Sequence, residues 1–186
     1  LGFQGTPPEV SVYASVLAQT GIHRDSGSGW EFGPPTVGAG LLQVWHRTIE
    51  FLDSCELDRR PITDLFDALQ RPPYGMKMGV IPVLFCATLQ AHDSEVALYE
   101  EGGFLPEITV EAFERLLRSP ERFSVRRYRI DGIRREVFRE LAQVLGSTPD
   151  PRYNLVAIVR PLYRFWNKLP AYSQKTNAVS KTAVAV

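Results

Sequence analysis

Residues 79–91, near the middle of the chain, are almost entirely apolar. Their length and composition predict a helix, and Pro82 is compatible with it because this proline falls in the first turn. A helix that is apolar on all sides is a buried helix. The remaining residues must therefore surround it, and a chain of 186 residues that is 44% hydrophobic and 11% aromatic is able to build such a core.

The hydrophobic periodicity on either side of this segment predicts more helices than strands. The predicted helices cover residues 6–21, 41–53, 61–69, 79–91, 109–117, 133–145 and 153–169, and the predicted strands cover 95–100, 104–108 and 123–130. Glu101, Gly102 and Gly103 have the composition of a hairpin turn. Residues 23–40, rich in Gly, Ser and Pro, are predicted to form a loop. The expected fold class is α+β and predominantly α-helical.

The element order divides the chain into three parts. Residues 61–146 place a helix, a rigid turn, a buried helix and a small β-hairpin in the order that resembles a winged helix. Residues 1–60 form an N-terminal helical segment, and residues 151–186 form a C-terminal helical extension. The chain starts without Met and ends within an apolar pattern, so we expect it to be a piece of a longer polypeptide whose extension is truncated.

The resemblance to a winged helix implies contact with nucleic acid through a recognition helix and the wing, or docking to protein. Two features depart from the DNA-binding pattern. The helix that precedes the hairpin is too apolar to read DNA, and the hairpin itself is acidic.

The charge pattern reverses sharply in the second half of the chain. Residues 93–114 contain seven carboxylates and no Lys or Arg, whereas residues 115–139 contain nine arginines and three acids. Six of these arginines are the candidate binding residues: Arg126, Arg127, Arg129, Arg134, Arg135 and Arg139. Strand alternation places Arg127 and Arg129 on one face and Arg126 on the other. A guanidinium group suits either phosphate or carboxylate.

Three interpretations of the arginines remain open at this point. They pair with the acidic stretch within the same fold, they bind a neighbouring protein domain, or they contact a nucleic-acid backbone. Phosphate contacts would make binding strongly dependent on salt, whereas internal ion pairs would not.

Three sequence stretches resemble an interior region of very large bacterial P-loop ATPases from restriction and phage-defence clusters. They are residues 72–82 (PPYGMKMGVIP), 95–106 (EVALYEEGGFLP) and 155–176 (LVAIVRPLYRFWNKLPAYSQKT). The chain has no Walker residues, so the resemblance implies a non-catalytic segment of a large defence protein.

Motifs for catalysis, metal binding and membrane insertion are missing from the sequence. His23, His46 and His92 are far apart and lack neighbouring ligands, so no metal or cofactor is expected. Cys55 and Cys86 fit reduced core thiols of a cytoplasmic protein. No apolar run is long enough to span a membrane.

These observations predict an interaction and scaffold segment of a larger, ATP-dependent defence protein. We expect it to dock neighbouring domains or subunits and to contact the DNA backbone through the six arginines. The alternative is an enzyme domain whose carboxylates and arginines converge only in three dimensions. A pocket with several strongly perturbed titratable groups would favour that alternative.

Overall fold

A computed structural model describes residues 8–37, 39–129 and 155–176. Its helices are α1 (Pro8–Val12, continued by a π-helix at Tyr13–Ala18), α2 (Ala39–Asp53), α3 (Thr63–Gln70), α4 (Ile81–Ala91), α5 (Val110–Arg118), α6 (Leu155–Lys168) and α7 (Ala171–Lys175). Its strands are β1 (His23–Asp25), β2 (Trp30–Phe32), β3 (Arg60–Pro61), β4 (Val96–Glu100), β5 (Gly103–Leu105) and β6 (Phe123–Arg127). The predicted α+β class is confirmed. The predicted helix at 133–145 lies outside the described residues.

Helix α4 occupies the centre of the core, as its apolar sequence predicts. Ile81, Phe85 and Leu89 are almost fully buried. Phe85 meets Phe66 of α3 edge to face, with the ring centroids 5.6 Å apart. Because the surrounding helices and the sheet bury seven of its eleven residues, α4 presents little surface to a partner.

The larger sheet has the strand order β3-β6-β4-β5 and is antiparallel throughout. The predicted turn between β4 and β5 is confirmed, since Glu101 and Gly102 have φ values of +48° and +85°. Two consecutive left-handed residues form the type I′ turn that matches the twist of a hairpin. Strand β6, which comes last of the four in sequence, lies between β3 and β4.

The two faces of this sheet have different environments. Val96, Leu98 and Val125 point toward the helices and belong to the hydrophobic core. Ala97 and Arg126, which are paired across β4 and β6, point to the opposite face. Helix α6 packs there against β5, the edge strand, where Tyr163 contacts Phe104 with ring centroids 5.5 Å apart.

The prediction of a continuous loop at residues 23–40 is wrong. Within it, β1 and β2 form a separate two-stranded hairpin. His23 of β1 stacks on Trp30 and also contacts Phe32, with ring centroids 4.9 and 4.6 Å apart. These contacts, which join residues on adjacent strands, stabilise a hairpin whose glycine-rich turn gives the sequence the appearance of a loop.

Candidate interaction surface

Arg127, one of the six candidate arginines, is part of the interior. Alternation along β6 buries Phe123, Val125 and Arg127, and only 4% of the Arg127 side chain is exposed. Its Nε and Nη2 donate to Glu95 Oε2 at 3.0 and 2.6 Å, and its Nη1 donates to Asp53 Oδ1. A guanidinium group that is buried and paired with two carboxylates is not available to a phosphate.

Arg129 lies beside Arg127 but is much more exposed. Its Nη2 donates to the same Asp53 oxygen at 2.7 Å, and its Nη1 lies 2.8 Å from Glu56 Oε1. Nearly half of its side chain, 45%, remains accessible to solvent. The predicted placement of Arg127 and Arg129 on one face is confirmed, because both reach Asp53.

Arg126 lies on the opposite face among aromatic side chains. Its guanidinium carbon is 5.2 Å from the centre of the Tyr128 ring. The hydroxyl groups of Tyr128 and Tyr99 are hydrogen bonded at 2.9 Å, and Arg59 stacks over the Tyr99 ring at 3.6 Å. Burial and the hydrogen bond to Tyr128 raise the pKa of Tyr99 to about 12. Arg134, Arg135 and Arg139 lie outside the described residues, so their binding role stays a prediction.

The acidic stretch is largely neutralised by arginines of the same chain. The ion pairs are Asp93–Arg160, Glu95–Arg127, Glu100–Arg115, Glu101–Arg122 and Glu107–Arg164. The Glu100–Arg115 pair is bidentate, with contacts of 2.7 and 2.8 Å, and this hydrogen bonding lowers the pKa of Glu100. Of the three interpretations of the arginines, pairing with the acidic stretch of the same fold therefore applies to Arg115, Arg122 and Arg127.

The surface that a winged helix uses to read DNA is absent from the described part of the chain. Helix α4, which precedes the hairpin, contains no charged residue and is buried. The hairpin turn carries Glu101, and α6 packs against β5. Phosphate contact requires exposed cations, which neither element supplies.

Two cavities adjoin α6. The larger, about 330 Å³, has an apolar floor that includes Val96 and Leu98 and is bordered by the Asp93–Arg160 and Glu107–Arg164 pairs. The smaller, about 210 Å³, is apolar and lies between α6 and the outer face of the sheet. Among the groups with a shifted pKa in the described residues, Tyr99 alone lines either cavity. The cluster of perturbed titratable groups that an enzyme site would need is therefore not found there.

The two cysteines and His92, the other side chains that could take part in chemistry, are shielded by burial. Cys55 and Cys86 are free thiols, and burial raises their pKa values to about 11 and about 12, which keeps both protonated near neutral pH. Burial and the charge of Arg127 lower the pKa of His92.

No group of three or more potential metal ligands occurs among residues 8–37, 39–129 and 155–176. None of the helices within these ranges has the length and apolar character needed to cross a membrane.

Helix α6 is apolar on two sides, and one of these sides is exposed to solvent. Val156, Val159 and Tyr163 face the body of the domain and line the smaller cavity. A second apolar stripe at helical spacing includes Leu162 and Phe165, which are 43% and 64% exposed. Trp166, on the flank of that stripe, is 48% exposed. We call Leu162, Phe165 and Trp166 the bare face of α6.

The bare face was not identified as a binding site from the sequence. A stripe at helical spacing normally marks the side of a helix that packs on the core. The sequence does contain a signal that could have identified it: Val156, Val159 and Tyr163 form another apolar stripe, with the same spacing, on the other side of the helix. Two apolar stripes on one helix indicate that a second face needs a partner.

Comparisons of this chain with protein-family models, curated proteins and solved structures found no match.

Proposed function

We propose that this chain is a non-catalytic interaction segment that docks a neighbouring domain or subunit of a larger protein. The observation that carries this proposal is the bare face of α6, where three large apolar side chains point away from a body that α6 already contacts with its other side. A helix with two apolar faces is stable in water when both are covered. An exposed apolar group of this kind on a domain marks a site of protein contact.

Burying the bare face of α6 against a partner would contribute a favourable free energy of binding. Each of the three side chains is about half exposed, and complete burial of such a side chain contributes roughly 1.5–3 kcal/mol relative to full exposure. Covering the remaining exposed area would therefore contribute roughly 1 kcal/mol for each side chain. Large aromatic residues such as Phe165 and Trp166 are also the type that dominates protein interfaces.

We propose further that the core is winged-helix-like. The order α2, β3, α3, α4, β4, β5 supports this assignment, and the insertion of β6 between β3 and β4 is an elaboration of that order. The parent protein, on this proposal, is a cytoplasmic P-loop ATPase of a phage-defence cluster, as the resemblance of residues 72–82, 95–106 and 155–176 implies. In such a protein a segment without Walker residues would connect or position the catalytic parts.

Site-specific crosslinking in the full-length parent protein tests the docking function. A benzophenone amino acid replaces Phe165 in one protein and Leu57, an exposed apolar residue in the segment between α2 and β3, in a matched control. We expect a discrete adduct with protein at Phe165 and none at Leu57. The same adducts at both positions, no adduct at Phe165, or an adduct with nucleic acid would contradict the proposal.

A further inference from the structure

The C-terminal part of the chain is basic throughout. From Pro151 to Val186 there are six Lys and Arg and no Asp or Glu. The first 150 residues consequently contain fifteen Lys and Arg against twenty-one Asp and Glu. The net charge of zero thus conceals an acidic body and a basic C-terminal part.

The described cations of this part divide into two kinds. Arg160 and Arg164 point toward the body, where they pair with Asp93 and Glu107. Lys168 is exposed at the end of α6 and has no carboxylate partner within the described residues. Lys175, at the end of α7, is equally exposed and has no such partner there.

The short helix α7, which carries Lys175, is held against the end of α6 by hydrogen bonds of Gln174. Gln174 Nε2 donates to the carbonyl oxygens of Trp166 and Leu169 at 3.1 and 2.8 Å. These two hydrogen bonds tie α7 to the end of α6. Tyr172 of α7 adds a further exposed aromatic side chain near this junction, at 77%.

We propose that the partner docked on the bare face is an amphipathic helix whose apolar stripe is flanked by carboxylates. This inference rests on the docking function proposed above and specifies the chemistry of the partner. Leu162, Phe165 and Leu169 recur at the spacing i, i+3 and i+7, which is the pattern of one helix packing along another. Lys168, next to that stripe on α6, and Lys175, on the attached helix α7, have no carboxylate partner within the described residues and would meet acidic groups.

A nucleic-acid partner fits this surface less well. Affinity for a phosphate backbone grows with the number of phosphates that the protein neutralises. Among the described cations of this part, Lys168 and Lys175 would neutralise two, because Arg160 and Arg164 are already paired with carboxylates. The apolar stripe, in contrast, runs from Leu162 in α6 to Leu169 just after its end.

Designed peptides test the inference on the full 186-residue chain by fluorescence anisotropy. The probe is an 18-residue amphipathic helical peptide with a Leu stripe flanked by Glu, its twin carries Lys in place of Glu, and a 20-nucleotide oligothymidylate serves as the third probe. We expect the Glu peptide to bind and the Lys twin to bind roughly tenfold more weakly, since two rim charges change from attraction to repulsion.

Two variants of the bare surface and two controls complete the test. Phe165→Ser should weaken binding of the Glu peptide by roughly tenfold or more, because it removes a central aromatic anchor. The double variant Lys168→Glu/Lys175→Glu should reverse the preference between the two peptides. Leu57→Ser and Lys77→Glu, which remove an exposed apolar and an exposed basic residue elsewhere, should change neither affinity.

The possible results distinguish failure of the proposed partner chemistry from failure of the proposed docking function. Equal binding of the two peptides would overturn the acidic chemistry, as would binding of the oligonucleotide with no binding of the Glu peptide. Failure of the Glu peptide to bind while the protein adduct at Phe165 persists would overturn the partner's chemistry and leave docking intact. Loss of that adduct would overturn both.

Discussion

Substitution of Arg127 should distinguish an arginine that stabilises the fold from one that serves recognition. In Arg127→Met the aliphatic stem is kept while both charged contacts are lost. Asp53 retains Arg129 as a partner, whereas Glu95 loses the guanidinium group that donates to it twice. The main cost is therefore the stranded carboxylate of Glu95.

The size of this cost follows from burial. Breaking a buried ion pair by removing one partner costs about 3–5 kcal/mol. Glu95 is 33% exposed, so water is able to solvate part of its carboxylate after the substitution. We therefore expect Arg127→Met to lower the free energy of unfolding by about 2–3 kcal/mol, which corresponds to a decrease in Tm of roughly 4–12 °C for a chain of this size.

Arg129→Met is the matched control, because Arg129 donates to the same Asp53 oxygen from a position that is 45% exposed. An exposed ion pair contributes about 1 kcal/mol or less. Urea unfolding followed by circular dichroism measures both variants. Equal losses of stability in the two variants, or a loss below about 0.5 kcal/mol for Arg127→Met, would refute the conclusion that burial makes Arg127 structural.

Three further perturbations test local features of the fold. Thr109→Ala should lower the free energy of unfolding by about 1 kcal/mol in urea titrations, because the Thr109 hydroxyl accepts from the Ala112 amide at the start of α5; an unchanged midpoint would contradict this cap. Gly102→Ala should cost about 1 kcal/mol in the same assay, because φ is +85° at that turn, and a neutral result would mean that the turn relaxes. The pKa of His92 is lowered from 6.5, so the unfolded chain binds its proton first as pH falls; stability should decrease below about pH 6.5, and less so in His92→Gln. Thermal unfolding between pH 7.5 and 5.5 measures the difference, and parallel curves would contradict it.

Local sequence patterns were sufficient to predict several elements of the fold. The apolar composition of residues 79–91 requires burial wherever the helix lies, and α4 is buried. The helix predicted at 109–117 forms with Thr109 as its N-cap, and the turn predicted at Glu101 and Gly102 also forms. These features depend on residues close in sequence, which is why they could be read without the tertiary structure.

Features that depend on distant residues could not be read in the same way. Strand β3 has two residues and exists because it pairs with β6, more than 60 positions later in the chain. The burial of Arg127 depends on Asp53, 74 residues away, as well as on Glu95. On α6 both faces are apolar, so periodicity predicts a helix but does not say which face meets the core.

The charge reversal in the sequence therefore has a different meaning once the chain is folded. Acidic residues of the 93–114 stretch meet arginines from β6, from the residues around α5 and from α6, and these pairs join elements that are adjacent in space. A surface whose charges are already paired has little electrostatic free energy left for a partner. On the docking proposal, recognition in the described part of the chain then falls to the bare face of α6, with Lys168 on the same helix and Lys175 on the attached α7.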